Sequence, residues 1–314
     1  MSKRKHGMLV NGVVLLDKPV GLSSNKALQI VRRLFDARKA GHTGSLDPFA
    51  TGMLPLCFGE ASKTAAFMID AGKTYHAIAR LGIATETGDT EGLINQKQVV
   101  PKLSDEQIRN VFEDFKGEIE QIPPMFSALK HQGQPLYKLA RQGKTIERSA
   151  RKVVIHRLEL HSFCENLLSF EVACSKGTYI RTLAEDLASA LGTCAHLSSL
   201  RRLNVDPFNA TAMVSLPELE LAAEAGELDQ HLLPIDAGLP DWPITRLASN
   251  QLEGFFHGNS QLCPDGQPGW TRVYGPGGQI IGLGETTREG LLKPKRVFNL
   301  DITQPEAAGC ELPD

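Results

Sequence analysis

The sequence lacks several features that would assign a protein to a class at once. Its six cysteines are scattered and form no Cys-x-x-Cys pair, which argues against a zinc site and is consistent with reduced thiols. No apolar run is long enough to cross a bilayer, and the short run at residues 13–16 does not make a signal peptide. We therefore expect a cytoplasmic protein without a membrane segment or a bound metal.

The chain also has little net charge, since 34 basic residues nearly balance 36 acidic ones. The charges are nevertheless segregated. Residues 127–157 contain eight lysines and arginines and one acid, whereas residues 203–245 contain eight acids and no lysine or arginine. A solvated helix would explain a few lysines, but a nearly acid-free stretch of this length favours contact with phosphates. The acidic stretch is expected to lie away from a bound nucleic acid.

Residues 41–55, GHTGSLDPFATGMLP, hold three glycines, two prolines and one acid. Gly and Pro oppose helix interiors, so the stretch predicts a tight loop. Pro48 restricts Asp47 to extended backbone angles, while Gly44 and Gly52 allow angles that other residues resist. A plain Asp-Pro turn is one interpretation. The other is a single presented carboxylate that acts as a nucleophile or lone base.

This run resembles the signature of the TruB family of tRNA pseudouridine(55) synthases, approximately GHTGxLDPxATGxLP, and every fixed position is present. Further matches are Gly-Thr-Tyr-Ile-Arg at 177–181, the "LDKPxGxSS" turn within 11–25 and the "AHxxxLRR" stretch within 192–203. The resemblance is weak beyond residue 244. It implies an isomerase, an intramolecular transferase, that converts the uridine at position 55 of the tRNA T loop to pseudouridine. The reaction would use base flipping and an essential aspartate, without a cofactor.

The resemblance also implies roles for single residues. Asp47 would be the catalytic aspartate, either by attack on the anomeric carbon or through a glycal, and both routes remain open. Arg181 would pair with Asp47 and keep it ionised. The other expected contacts with the substrate are His42, in the space that the uridine leaves, and the pocket residues Tyr75, Tyr179 and Leu200. Ordinary structural roles, as a packed sheet aromatic or a core leucine, are the alternatives for Tyr75 and Leu200.

RNA contacts are predicted at exposed basic positions. The segment 122–152 resembles the thumb insertion that closes over the T loop in this family. The predicted RNA contacts are Lys18 in the N-terminal turn, Lys130, Lys138, Arg141, Lys144 and Arg151 in the thumb, Arg201 and Arg202 in the AHxxxLRR stretch, and Lys293 and Lys295 in the C-terminal part of the chain. Simple solvation is an equal alternative for Lys18. Arg201 and Arg202 could instead pair with acids.

Local patterns predict several elements. Ser104 and Gln107 form a capping-box pattern at the start of a helix over 104–116. Residues 73–82 alternate as a strand, and 153–160 with 167–174 predict a hairpin. The expected fold class is α+β, with a mixed, mainly antiparallel sheet of pseudouridine-synthase type, flanking helices and the thumb.

The expected domains are a catalytic domain at 1–240, a small β-rich PUA-like RNA-binding domain at 244–303 and a tail at 304–314. The expected partner is tRNA, through its T loop and T arm, and the expected state is a monomer. The alternative from another class is a non-catalytic tRNA-binding or tRNA-folding protein that uses the same surface. A glycoside hydrolase would need two carboxylates at a set separation, and the central loop supplies one.

Overall fold

A computed structural model describes residues 7–300. The predicted tail at 304–314, residues 301–303 and the basic N-terminal residues 3–5 lie outside the described residues. The helices are α1 Ser24–Leu34, α2 Ala65–Asp70, α3 Asp105–Asp114, α4 Leu136–Ala140, α5 Ile180–Ala190, α6 Leu216–Ala225 and α7 Ser249–Phe256.

The strands belong to one large sheet, one smaller sheet and two short two-stranded pairs. In chain order they are β1 Gly12–Lys18, β2 Ala40–His42, β3 Thr51–Phe58, β4 Lys73–Leu81, β5 Ile83–Thr85, β6 Ile94–Lys97, β7 Gly117–Gln121, β8 Lys130–His131, β9 Gln134–Pro135, β10 Arg151–Cys164, β11 Leu167–Cys174, β12 Ala195–Val205, β13 Val214–Ser215, β14 Ile244–Arg246, β15 Gln261–Leu262, β16 Gly269–Tyr274, β17 Ile280–Thr286 and β18 Leu291–Val297.

The large sheet has the order β13-β1-β3-β12-β4-β11-β10-β7, with β2 paired to β3. Two of its pairings are parallel, β1 with β13 and β3 with β12, and the others are antiparallel. The smaller sheet has the order β14-β16-β17-β18-β15. The predicted α+β class, with a mainly antiparallel sheet and a small β-rich C-terminal part, is confirmed.

Alternation along the strands decides which face of the large sheet is covered. In β4 every second side chain, from Tyr75 to Leu81, is buried in a core that also contains residues of α3 and α5. Helices α1 and α6 cover the same face over β1 and β3. On the opposite face, Val13 and Met53 join Ile280 and Phe298 in one apolar cluster, so the smaller sheet packs against the large one. Within residues 7–300 no helix combines the length and apolarity that a membrane span needs.

The local predictions agree closely with the elements. Ser104 and Gln107 make both hydrogen bonds of a capping box at the start of α3, and the strand at 73–82 and the hairpin are present. The central stretch is only partly a loop, however. Its two ends belong to β2 and β3, because Gly41 pairs with Cys57 and residues from Thr51 onward enter the large sheet. The loop itself is therefore 43–50.

Candidate active site

The loop 43–50 lies on the face of the large sheet that the helices cover, and its own side chains hold it there. Leu46 and Phe49 are buried in the core beneath α5. The Ser24 hydroxyl, at the start of α1, donates to the Leu46 carbonyl at 3.0 Å and accepts from the Leu46 N–H at 2.7 Å. A loop with apolar anchors and paired backbone groups is rigid, so it presents Asp47 in a fixed position.

A row of residues crosses the sheet beneath this loop. Strand register aligns Lys18 with Gly52, Gly52 with Arg202, and Arg202 with Tyr75. Residues that pair directly across strands point to the same face, so this row faces the loop. Gly52 has φ +98°, and a Cβ at this position would lie 2.2 Å from the Arg202 carbonyl oxygen. Only glycine therefore allows β3 and β12 to approach this closely.

Lys18 and Arg202 hold the loop from below. The Lys18 ammonium donates to the carbonyls of Leu22 at 2.7 Å and Pro48 at 3.3 Å. The Arg202 guanidinium donates to Met53 at 2.7 Å and Gly44 at 3.2 Å. Lys18 is fully buried and Arg202 is 1% exposed. Both predictions of RNA contact are therefore wrong, because neither side chain reaches the surface.

Asp47 meets Arg181 where the loop 43–50 faces the first turn of α5, and we call this place the cleft. The Arg181 Nε lies 2.9 Å from Asp47 Oδ2, and the arginine side chain is buried while 39% of the aspartate side chain is exposed. Arg181 also donates to the carbonyls of Thr87 at 2.6 Å and Phe126 at 2.7 Å. The predicted contact between Arg181 and Asp47 is present. The guanidinium is fixed by three chain segments, so it can aim one carboxylate oxygen and leave the other open to a substrate.

A second carboxylate, Asp89, completes this arrangement, and no sequence pattern pointed to it. Asp89 Oδ2 lies 3.8 Å from Arg181 Nη1, and its side chain is buried. Asp89 accepts hydrogen bonds from the Thr87 hydroxyl and the Glu91 N–H. Burial raises the pKa of Asp47 above its ordinary value of 3.8, and Arg181 opposes that shift while Asp89 adds to it. The Asp47 carboxylate is thus more basic than a solvated aspartate.

Two of the predicted pocket residues lie in the core against which the loop packs. Tyr75 and Leu200 are buried in the same core as Leu46 and Phe49. Burial also raises the pKa of Tyr75, against an opposing effect of Arg202, so its hydroxyl stays protonated at neutral pH. The Tyr75 side chain is therefore uncharged, and the Asp47 carboxylate contributes to the raised pKa.

Tyr179 and His42 are the two remaining predicted contacts with the substrate. The guanidinium of Arg151 lies over the ring of half-buried Tyr179, with the Arg151 Cζ 4.8 Å from the ring centroid. Arg151 also donates to the Gly177 carbonyl at 2.8 Å, and its contact with phosphate stays a prediction. Burial and Arg202 lower the pKa of His42, so its imidazole is neutral at pH 7. Among the described residues the buried Nδ1 of His42 has no hydrogen-bond partner.

The other predicted RNA contacts divide between paired and free side chains. Arg201 makes two hydrogen bonds to the Asp17 carboxylate, at 3.0 and 2.7 Å, as the alternative of pairing with an acid predicted. Lys295 pairs with Glu285 at 2.7 Å. The remaining side chains are exposed without an ion pair to any residue within 7–300: Lys130, Lys138, Arg141, Lys144 and Lys293.

Comparison with known proteins gives a consistent result along the chain. Residues 32–180 match the family model "TruB family pseudouridylate synthase (N terminal domain)". Residues 181–240 match "tRNA pseudouridylate synthase B C-terminal domain". Residues 243–298 match "Pseudouridine synthase II TruB, C-terminal".

Relatives of similar length share about half of their residues with this chain. A tRNA pseudouridine synthase B from Dechloromonas aromatica is 51% identical over 93% of this chain and 96% of its own. One from Pseudomonas aeruginosa is 48% identical over 92% and 96%.

Solved structures show the same fold at lower identity. A chain of a Cbf5-Nop10-Gar1 complex has a TM-score of 0.71 at 23% identity, and the match covers 91% of this chain and 84% of that one. A chain of an H/ACA RNP bound to a substrate RNA containing 2′-deoxyuridine has a TM-score of 0.70 at 21% identity, over 95% and 91%. The sequence matches establish the family, and this chain belongs to the TruB family of pseudouridylate synthases.

Proposed function

We propose that this enzyme isomerises the uridine at position 55 of the tRNA T loop to pseudouridine. The observation that carries the proposal is the half-open Asp47 carboxylate, which the buried Arg181 holds and which lies on a loop anchored in the same core as Tyr75 and Leu200. Relatives at about half identity are named tRNA pseudouridine synthase B, which supports tRNA as the substrate. The T-loop position rests on the resemblance of residues 41–55 to the family signature.

The chemistry suits one fixed carboxylate. Isomerisation breaks the bond between C1′ of the ribose and N1 of uracil, and then joins C1′ to C5, so no atom is lost except the exchanged C5 proton. Asp47 acts either as the nucleophile at C1′ or as the base that removes the C2′ proton, and both roles need the ionised form. Arg181 favours that ionised form and orients it. The ring of Tyr75 contacts the uracil while it turns.

The target base must leave the folded T loop before Asp47 can reach its sugar, which is base flipping. His42 lies at the end of β2, directly before the catalytic loop, and is half-exposed. A neutral imidazole can occupy the space that the uridine leaves. The exposed cations of the thumb, 122–152, contact the phosphates.

A non-catalytic tRNA-binding protein is the second candidate. A binder gains nothing from a carboxylate beside RNA phosphates, because like charges repel. The buried guanidinium that faces Asp47 is also tied to two carbonyls and to Asp89. This arrangement favours catalysis over simple binding.

The test is tritium release from a tRNA transcript labelled at C5 of its uridines. The wild-type chain should release one tritium per transcript, since one uridine is isomerised. A matched transcript with cytidine at position 55 should release none. If the labelled transcript with uridine at position 55 released no tritium, the proposed isomerase activity would be rejected. If the transcript with cytidine at position 55 released as much tritium, the assignment of position 55 would be rejected.

A further inference from the structure

Gln121, at the end of β7, makes an unusual contact with the start of α5. Its side-chain Nε2 donates to the Tyr179 carbonyl at 3.0 Å, and its Oε1 accepts from the Tyr179 N–H at 2.8 Å. Gln121 is 1% exposed. Both polar groups of one buried side chain are therefore used on the backbone of one residue, 58 positions away in the sequence.

The contact lies where α5 needs support. Tyr179 is the residue before the first turn of α5, and its side chain makes no capping hydrogen bond. A helix start without a side-chain cap is otherwise free to fray. The Gln121 amide fixes the backbone of Tyr179, so it fixes the position and direction in which α5 begins.

The first turn of α5 carries the partner of the catalytic carboxylate. Arg181 lies two residues after Tyr179, and its guanidinium is 2.9 Å from Asp47. A second hydrogen bond joins the same two segments. Arg181 Nη2 donates to the carbonyl of Phe126, five residues after Gln121. The segment 121–126 thus holds residues 179–181 at two points, and the thumb begins within that segment.

We propose that Gln121 is a positioning residue for the reaction: by holding the Tyr179 backbone, it places the Arg181 guanidinium on Asp47 and the Tyr179 ring at the pocket. This inference rests on the proposed function. Gln121 itself is buried and touches no substrate. It acts through Arg181, so its removal should change the chemical step and leave RNA binding by the exposed thumb cations unaltered.

The test compares two variants with a matched control. Gln121→Met keeps the volume and loses both hydrogen bonds, while Gln121→Asn keeps the amide but is one methylene too short to reach Tyr179. The control is Gln251→Met. Gln251 makes the same kind of double contact, accepting from the Ala248 N–H at 3.0 Å and donating to the Leu262 carbonyl at 2.9 Å, in the C-terminal part of the chain.

For the wild type and the three variants we would measure the single-turnover rate of pseudouridine formation in tRNA, the affinity for tRNA, and thermal unfolding. Both Gln121 variants should lower the rate by about 10- to 100-fold, because a small misplacement of a catalytic group has effects of that size. Their Kd for tRNA should stay within about threefold of wild type. The acid limb of their pH–rate profile should move to higher pH, since Asp47 loses part of its contact with Arg181. Gln251→Met also loses two side-chain hydrogen bonds to the backbone, so it should lower Tm, but it should leave the rate and the acid limb unchanged.

Three results would overturn the role of Gln121. The first is a Gln121→Asn variant whose single-turnover rate and whose acid limb in the pH–rate profile equal those of wild type. Another is an equal loss of rate in Gln251→Met, which would make the effect one of general stability. The third is failure of both Gln121 variants to fold, which would make Gln121 a residue of the global fold. A wild-type chain that forms no pseudouridine would instead reject the proposed function.

Discussion

The catalytic cleft and the thumb, residues 122–152, use positive charge in opposite ways. In the cleft Lys18, Arg181 and Arg202 are buried, and each donates to at least two backbone carbonyls. In the thumb the basic side chains at 130, 138, 141 and 144 are exposed and have no ion pair to any residue that the structure describes. One region fixes its cations, and the other leaves them available.

This difference separates two functions of charge. A buried guanidinium that is fixed by several hydrogen bonds can hold one carboxylate in one geometry and change its pKa. Exposed cations contribute little to stability, but they attract a polyanion and release its counterions, so their effect depends on salt. We therefore expect changes in the cleft to alter the chemical step and stability. Changes in the thumb should alter affinity alone.

The largest effect is expected from Arg181→Met. The variant leaves Asp47 without its partner and leaves Asp89 buried and unpaired, so the single-turnover rate should fall by about 10²- to 10³-fold. The free energy of unfolding should fall by about 3 kcal/mol, because breaking a buried ion pair leaves an uncompensated charge. Quenched single-turnover assays and urea unfolding measure the two effects. The control is Arg157→Met, at an exposed ion pair, which should change neither by much.

Charge reversal in the thumb should give the complementary result. The triple variant Lys138→Glu, Arg141→Glu and Lys144→Glu should weaken tRNA binding by about 10²-fold or more at low salt and flatten the dependence of log Kd on log salt. Tm should stay nearly unchanged, since these side chains are exposed. The same reversal at the exposed residues Lys97, Lys102 and Arg109 is the matched control. Affinity and salt slope equal to that control would reject the thumb as an RNA contact.

Glycine substitutions test the rigidity of the two regions. Gly52→Ala places a Cβ 2.2 Å from the Arg202 carbonyl at a positive φ, whereas Gly143 in the thumb has a positive φ with open space around it. We expect Gly52→Ala to lower the free energy of unfolding by about 3 kcal/mol or more, and Gly143→Ala by about 1 kcal/mol. Denaturant unfolding compares them. Equal losses would mean that the approach of β3 and β12 is not the constraint.

The reaction rate and the affinity for tRNA should depend on pH in different ways, because the first depends on the cleft and the second on the thumb. The pKa of Asp47 is raised above 3.8, chiefly by burial, and catalysis needs its ionised form. The rate should therefore fall as pH falls through that raised value, so the acid limb lies above pH 3.8. Affinity for tRNA should not fall with it, because lysines and arginines of the thumb stay charged. A rate that stays flat down to pH 3.8 would contradict the assigned role of Asp47.

The parts of the site that carry a local signature can be predicted from the sequence. Pro48 and the glycines around Asp47 mark the catalytic loop, and the Gly-Thr-Tyr-Ile-Arg pattern points to Arg181. The capping box at Ser104 is readable because Gln107 is three residues away. Patterns of this kind depend only on residues that are close in the sequence, so they can be recognised without knowledge of the fold.

The two wrong predictions, RNA contact by Lys18 and by Arg202, have a common physical cause. Lysine and arginine are rarely fully buried, so a sequence pattern places Lys18 and Arg202 at the surface. One signal could have corrected Arg202, since it lies two residues after Leu200 in β12 and therefore shares its buried face. Asp89 and Gln121 offer no comparable signal. Their partners lie on α5 or directly before it, and only the folded chain brings them together.

Asp47→Asn tests the separation between fixed and available charge most directly. Because burial disfavours the charged form of Asp47, the neutral variant should be at least as stable as wild type at pH 7. It should bind tRNA with a Kd within about threefold of wild type and form no pseudouridine in a single-turnover assay. Measurable turnover, or a loss of affinity as large as that of the thumb variant, would contradict the assignment of chemistry to the cleft and binding to the thumb.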